Sequence, residues 1–267
     1  MRFAIATILT GAGFAAAQSL SSSCQKTLKN VLAANDTACL NPSGLVSIVG
    51  AVSNSSSTSL VGPLNTWLTG LCAQPQCSNA TLSALVTNIT TGCSTELNAA
   101  GLGVSDPASL TALVEQYYPA VRQAACLKDT SKSTLCATEL LTDIQNQVGT
   151  LSLTNIIKVV PEIASGSVTI PSNVTCSDCT KQVYNIANQQ FPSLIQGEVA
   201  SVVGGACGAT FTNGAAPTEI TEIASTSTAV AGLGASTNGG SLVSVNTLVA
   251  VAMTGLVAVS SAFAVLA

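Results

Sequence analysis

Ten cysteines and no histidine decide which chemistry is open to this 267-residue chain. Without an imidazole there is no Ser-His-Asp or Cys-His nucleophilic site, no HExxH zinc site and no histidine-ligated copper. No GxSxG elbow or P-loop occurs, and Gly101-Leu-Gly103 lacks the third glycine of a dinucleotide fingerprint. Asp36-Thr-Ala38 and Asp129-Thr-Ser131 both miss the final glycine of an aspartic-protease triplet. Glycoside hydrolysis needs only two suitably spaced carboxylates. Among Glu96, Asp106, Glu115, Asp129, Glu139, Asp143, Glu162, Asp178 and Glu198, nothing singles out a pair, and solvated helix-face charges account for them. The expectation is a non-enzyme with no catalytic residue, metal or cofactor.

The cysteines stand at Cys24, Cys39, Cys72, Cys77, Cys93, Cys126, Cys136, Cys176, Cys179 and Cys207. An even set in an oxidising compartment reads as five disulfides whose connectivity spacing alone does not give. Cys176-Ser-Asp-Cys179 has the spacing of a redox or zinc motif, but no thioredoxin-like strand-helix-strand context and no second CxxC at zinc-ribbon spacing. Structural bridging is the expectation there. Five N-glycosylation sequons begin at Asn35, Asn54, Asn79, Asn88 and Asn173, each predicting an exposed position.

The two ends explain how such a chain would meet an oxidising compartment. Arg2, the apolar stretch from Ala4 to Ala17 and the small residues Ala15-Ala16-Ala17 form a secretory signal over 1–17, so the mature chain starts near Gln18. Leu248 to Ala267 carries no charge and is long enough to span a bilayer core, yet no basic residue follows it. Asn238-Gly239-Gly240, the polar spacer Ser241 to Thr247 and this tail satisfy the pattern for GPI attachment at Asn238, with 239–267 removed; Gly234, Ser236 and Thr237 are alternative sites. Loss of Arg2 with the signal leaves seven basic residues against twelve acidic ones. The seven are scattered, so nucleic acid is not an expected partner.

Helical periodicity fills the space between the cysteines. Leu60, Leu64, Trp67, Leu68 and Leu71 share one face, as do Leu82, Leu85, Val86 and Ile89, then Leu110, Leu113, Val114, Tyr117 and Val121, then Leu140, Leu141, Ile144 and Val148. Asp106 and Pro107 predict the start of the third helix. Further helical stretches cover Leu153 to Val160 and Val183 to Val203, the second broken near Pro192. Strict alternation is confined to Ser167 to Ile170. These patterns predict an all-α, disulfide-rich helical bundle over 18–211, then a disordered Ser/Thr-rich stalk over 212–238. The cysteines divide five and five in similar order, compatible with two pseudo-repeated halves that at least one bridge must join.

Trp67-Leu-Thr-Gly-Leu-Cys72, Cys77-Ser-Asn-Ala-Thr-Leu82, Cys126-Leu-Lys-Asp129, Cys176-Ser-Asp-Cys179 and Cys207-Gly-Ala-Thr-Phe211, set between a signal and a GPI tail, resemble uncharacterised GPI-anchored cell-surface and cell-wall proteins of filamentous fungi. That resemblance implies location and not mechanism. A second resemblance lies in Leu71-Cys72, Cys77 and Cys93, followed by the apolar helix Leu110 to Tyr118 and Cys126, which is similar to the cysteine ladder of elicitins. Elicitins are small secreted helical proteins with three disulfides around an apolar cavity that carries sterols. The resemblance implies Cys24–Cys93, Cys39–Cys77 and Cys72–Cys126 pairing. The chain departs from it in the short Cys24 to Cys39 spacing, the long gap after Cys39 and a second cysteine set.

Two functions follow as expectations. The first is a non-catalytic glycoprotein on the extracellular face of the plasma membrane or in the cell wall, held by its GPI lipid, with wall polysaccharide as a partner and a structural, adhesive or interaction role. The second is a lipid or sterol carrier whose apolar cavity is lined by Trp67, Tyr117 and Tyr118, although core packing also accounts for those three.

Overall fold

The computed structural model describes residues 21–54, 57–99, 106–164 and 167–225. The signal, the GPI attachment region around Asn238 and the expected stalk from residue 226 onward lie outside the described residues. As the periodicity predicts, the fold is mostly helical and disulfide-rich. No helix among the described residues is long and apolar enough to cross a membrane. The described residues form two units of interleaved sequence, one from 21–37 plus 77–116, the other from 38–76 plus 117–225.

The first unit contains α1 (Ser22–Ala33), α4 (Asn79–Gly92), α5 (Ser94–Ala99) and the first half of α6 (Pro107–Ala125). Two helices start on a serine cap: Ser21 Oγ accepts from the Cys24 amide at 3.2 Å and Ser78 Oγ from the Thr81 amide at 3.1 Å. Asp106 caps α6 as expected, accepting from the Ala108 amide at 3.0 Å and from the Ser109 hydroxyl. These bonds hold its carboxyl below the usual aspartate range, the Ser109 hydroxyl contributing most. Helices α1 and α4 pack together where Gly92 meets Thr27. A Cβ at Gly92 would lie 1.8 Å from Thr27 Oγ1, so only glycine permits the approach. The Cys24–Cys93 bridge closes beside this contact, with Cα atoms 4.4 Å apart.

The second unit contains α2 (Pro42–Asn54), α3 (Val61–Ala73), the second half of α6, α7 (Cys136–Val148), α8 (Leu153–Ala164), α9 (Ser172–Thr175), α10 (Asp178–Gln190), α11 (Pro192–Ile195) and α12 (Glu198–Cys207). A 3-10 helix over Asn35–Leu40 runs through the boundary between the units. The main core joins Ala120, Ala124, Leu127, Leu140, Val159, Ile163, Val174, Val183 and Ile186. The expected break near Pro192 is present: α10 ends at Gln190 and Pro192 opens α11, where its missing N–H costs no helical bond.

One sequence pattern is not realised and one expectation is corrected. Ser167 to Ile170 forms no strand; instead β1 (Leu127–Asp129), β2 (Thr134–Leu135) and β3 (Ile220–Glu222) make an antiparallel sheet in the order β2-β1-β3. Strands of two or three residues are too short for alternation to register in sequence. The expected domain end at 211 also falls inside the folded unit. Beyond it, Lys128 pairs with Thr221 in the sheet, the Ile223 amide donates to the Cys126 carbonyl at 3.0 Å and the Ser225 amide to the Cys72 carbonyl at 2.8 Å. A Ser/Thr-rich composition did not prevent order here, because backbone pairing needs no particular side chain.

Candidate functional site

All ten cysteines are disulfide-bonded, Cys39 and Cys77 included, and none is free. Cys24 pairs with Cys93, Cys72 with Cys126, Cys136 with Cys179 and Cys176 with Cys207. Cys176 and Cys179 thus belong to two different structural bridges. Cys72–Cys126 joins the two cysteine halves, and the pattern differs between them. Cys93, last of its half, pairs with Cys24, the first, whereas Cys207, last of the other, pairs with Cys176, the third.

The sequon asparagines Asn35, Asn79, Asn88 and Asn173 are exposed, and Asn54 closes α2. Their hydroxyl partners behave differently. Thr37, Thr90 and Thr175 are buried, the Thr37 hydroxyl donating to the Val31 and Ala34 carbonyls at 2.7 Å each, and the Thr90 hydroxyl to the Val86 carbonyl at 2.8 Å. In these three sequons the threonine is therefore also a packing residue, and the asparagine side faces solvent.

Asn79 is the first residue of α4, and its Nδ2 donates to Glu115 Oε2 on α6 at 3.5 Å. Both helices border an open groove of about 550 Å³, lined by Ser83, Thr87, Ala108, Thr111, Ala112 and Glu115. Asp106 and Pro107 also line it, so the Ser83, Thr87 and Thr111 hydroxyls and two carboxyls lie beside small apolar surface, and water or sugar hydroxyls can satisfy the polar groups.

In the second unit Trp67 packs among Leu68, Ala125, Leu135 and Ala137, and its indole N–H donates to the Leu40 carbonyl at 2.8 Å. Tyr117 packs on Phe191 with ring centroids 4.5 Å apart, and Tyr118 is half-buried beside it on α6. Trp67 and Tyr117 thus pack into separate clusters.

The sequence missed two polar constructions in this unit. Arg122 is buried and points its guanidinium at the end of α3, donating to the carbonyls of Leu71 and Gln74. Asp129 accepts from the Ser131 hydroxyl at 2.6 Å and from the Ser131 and Lys132 amides at 2.8 and 3.1 Å. Those bonds, led by the hydroxyl, hold its carboxyl below the usual aspartate range. Lys132 reaches from Asp129 to Glu139, and the Glu139 hydrogen bond raises the Lys132 ammonium above its ordinary value. Asp129, Glu139 and Cys179 bring oxygens and a sulfur within 4.8 Å, the grouping of a metal site. The Cys179 sulfur is committed to Cys136 and the Lys132 ammonium pairs with both carboxylates, so the cluster reads as a salt-bridged turn.

Comparison with protein-family models, curated proteins and solved structures returns no match. What this chain does must therefore be argued from its own residues. The bridges and exposed asparagines were legible by residue type. Arg122 was not, because a lone arginine on a helix has no spacing signature for the carbonyls it will meet about fifty positions earlier.

Proposed function

We propose that this chain is a non-catalytic extracellular glycoprotein, tethered by a GPI lipid to the outer face of the plasma membrane or to the cell wall, with a structural, adhesive or interaction role. The observation that carries this reading is complete oxidation of the ten cysteines in a chain whose sequon residues Asn35, Asn79, Asn88 and Asn173 are exposed. Disulfides persist in extracellular and secretory compartments, where glycans are also added. The sequence signals at both ends supply secretion and the anchor, and wall polysaccharide is the partner that fits such a location. Phosphatidylinositol-specific phospholipase treatment of expressing cells tests it. Release of intact protein lacking 239–267 supports the anchor; detergent-requiring protein that still contains Leu248 to Ala267 overturns it.

One observation favours a second reading, a lipid or sterol carrier. The Cys24–Cys93 and Cys72–Cys126 bridges coincide with two of the pairs implied by the elicitin resemblance. Native mass spectrometry of the secreted, deglycosylated protein separates the two. An adduct of lipid mass, removed by organic solvent, supports the carrier; a bare polypeptide mass with five disulfides supports the structural glycoprotein.

A further inference from the structure

We propose that the groove between α4 and α6 in the first unit is the seat of the glycan carried by Asn79. This rests on the secreted-glycoprotein reading and adds a defined occupant for a defined surface.

The attachment atom comes first. An N-linked sugar is joined to the asparagine Nδ2, and in the unmodified side chain that atom lies 3.5 Å from Glu115 Oε2, on the groove wall. The first sugar therefore begins at the groove's edge. Attachment replaces one of the two Nδ2 hydrogens and leaves the other, so the modified nitrogen keeps one donor beside Glu115.

Helix geometry then sets the course. Asn79, Ser83 and Thr87 are successive fourth residues of α4, so they share one face at about 6 Å intervals, and both hydroxyl residues line the groove. Opposite them, α6 supplies Thr111 and Glu115 as hydrogen-bonding groups and Ala108 and Ala112 as flat apolar floor. Hydroxyls and a carboxylate beside small apolar surface match the alternating polar edges and apolar faces of a pyranose ring. No large aliphatic side chain lines the space, as a lipid would require. Its volume of about 550 Å³ falls within the range of small-ligand sites.

The same helix carries its own control. Asn88 lies nine residues after Asn79, about half a turn around the axis at roughly 100° per residue, so its glycan departs from the other side of α4.

The test uses the full chain expressed in a eukaryotic host. Glycopeptide mass spectrometry first measures occupancy at Asn79 and Asn88, and endoglycosidase release is then timed at both sites in native and denatured protein. Native release at Asn79 should be slower by about tenfold, as when one or two glycan–protein hydrogen bonds must open first, and equal to Asn88 after denaturation. In Ala112→Trp, an exposed position where the indole would fill the groove, the native difference should disappear. Equal native rates at the two sites overturn the proposal, as does slow release that persists in Ala112→Trp. Sugar at other sequons with none at Asn79 overturns the seat alone, whereas no sugar at any sequon in a secreted chain overturns the glycoprotein reading beneath it.

Discussion

The guanidinium of Arg122 donates to the Leu71 carbonyl at 2.8 Å, reaching from α6 to the last turn of α3 beside the Cys72–Cys126 bridge. The last carbonyls of a helix lack intrahelical partners, and a cation there also opposes the negative end of the helix dipole. Arg122→Ala leaves the Leu71 carbonyl with only the Gln74 amide at 3.2 Å and removes the donor to the half-buried Gln74 carbonyl, and should cost about 1–3 kcal/mol in urea unfolding of the secreted protein. Arg122→Lys keeps the charge but loses the planar fork that serves two carbonyls, so it should recover only part of that loss. Equal stability of wild type and Arg122→Ala would contradict the capping role.

The neighbouring bridge gives a second expectation. Cys72 and Cys126 are almost wholly buried and 54 residues apart in sequence. By loop-closure entropy, removing both as alanines should cost about 4 kcal/mol and lower the secreted yield. Thiol titration of the unfolded, unreduced wild type should find no free cysteine.

Gly92→Ala should destabilise the first unit by about 1–3 kcal/mol through overpacking against α1. Turning the Thr27 side chain does not relieve the clash, because the new Cβ also meets the Thr27 Cβ at 2.6 Å. Thr27→Ala should therefore restore only part of the loss, which a double-mutant cycle in thermal unfolding would measure.

Asp129 and Lys132 give stability that depends on pH at opposite ends. The Asp129 carboxyl has a lowered pKa in the folded chain, so its contribution is present above the ordinary aspartate value and is lost as pH falls through the lower folded one. Lys132 is raised, so its contribution is complete below the ordinary lysine value and is lost as pH rises through the higher folded one. Asp129→Asn should flatten the acid limb of the stability profile, and Lys132→Met the alkaline limb. An unchanged acid limb in Asp129→Asn would show that the turn bonds do not distinguish charged from neutral carboxyl.

A protein ending at 225 should be more stable than one ending at 214, although both contain every cysteine. The shorter form lacks β3 and the donations from Ile223 to Cys126 and from Ser225 to Cys72. Three or four net hydrogen bonds amount to roughly 2–4 kcal/mol, readable as a lower urea midpoint. Equal midpoints would return the domain boundary to the position expected from composition.

Helix content was legible wherever one apolar face recurred over several turns, as in Leu68 and Leu71 or Leu82 and Val86, because burial of such a face imposes the helical period. Asp106-Pro107 announced its helix because capping is local chemistry between near neighbours. The number of disulfides followed from counting cysteines, and the exposure of Asn35, Asn79, Asn88 and Asn173 from what a sequon requires. Cys136–Cys179, the Arg122 cap, the β1–β3 pairing and the meeting of Asn79 with Glu115 were decided only in three dimensions. Each depends on which distant segment arrives at a residue, and the periodicity and local chemistry of a sequence carry no record of that arrival.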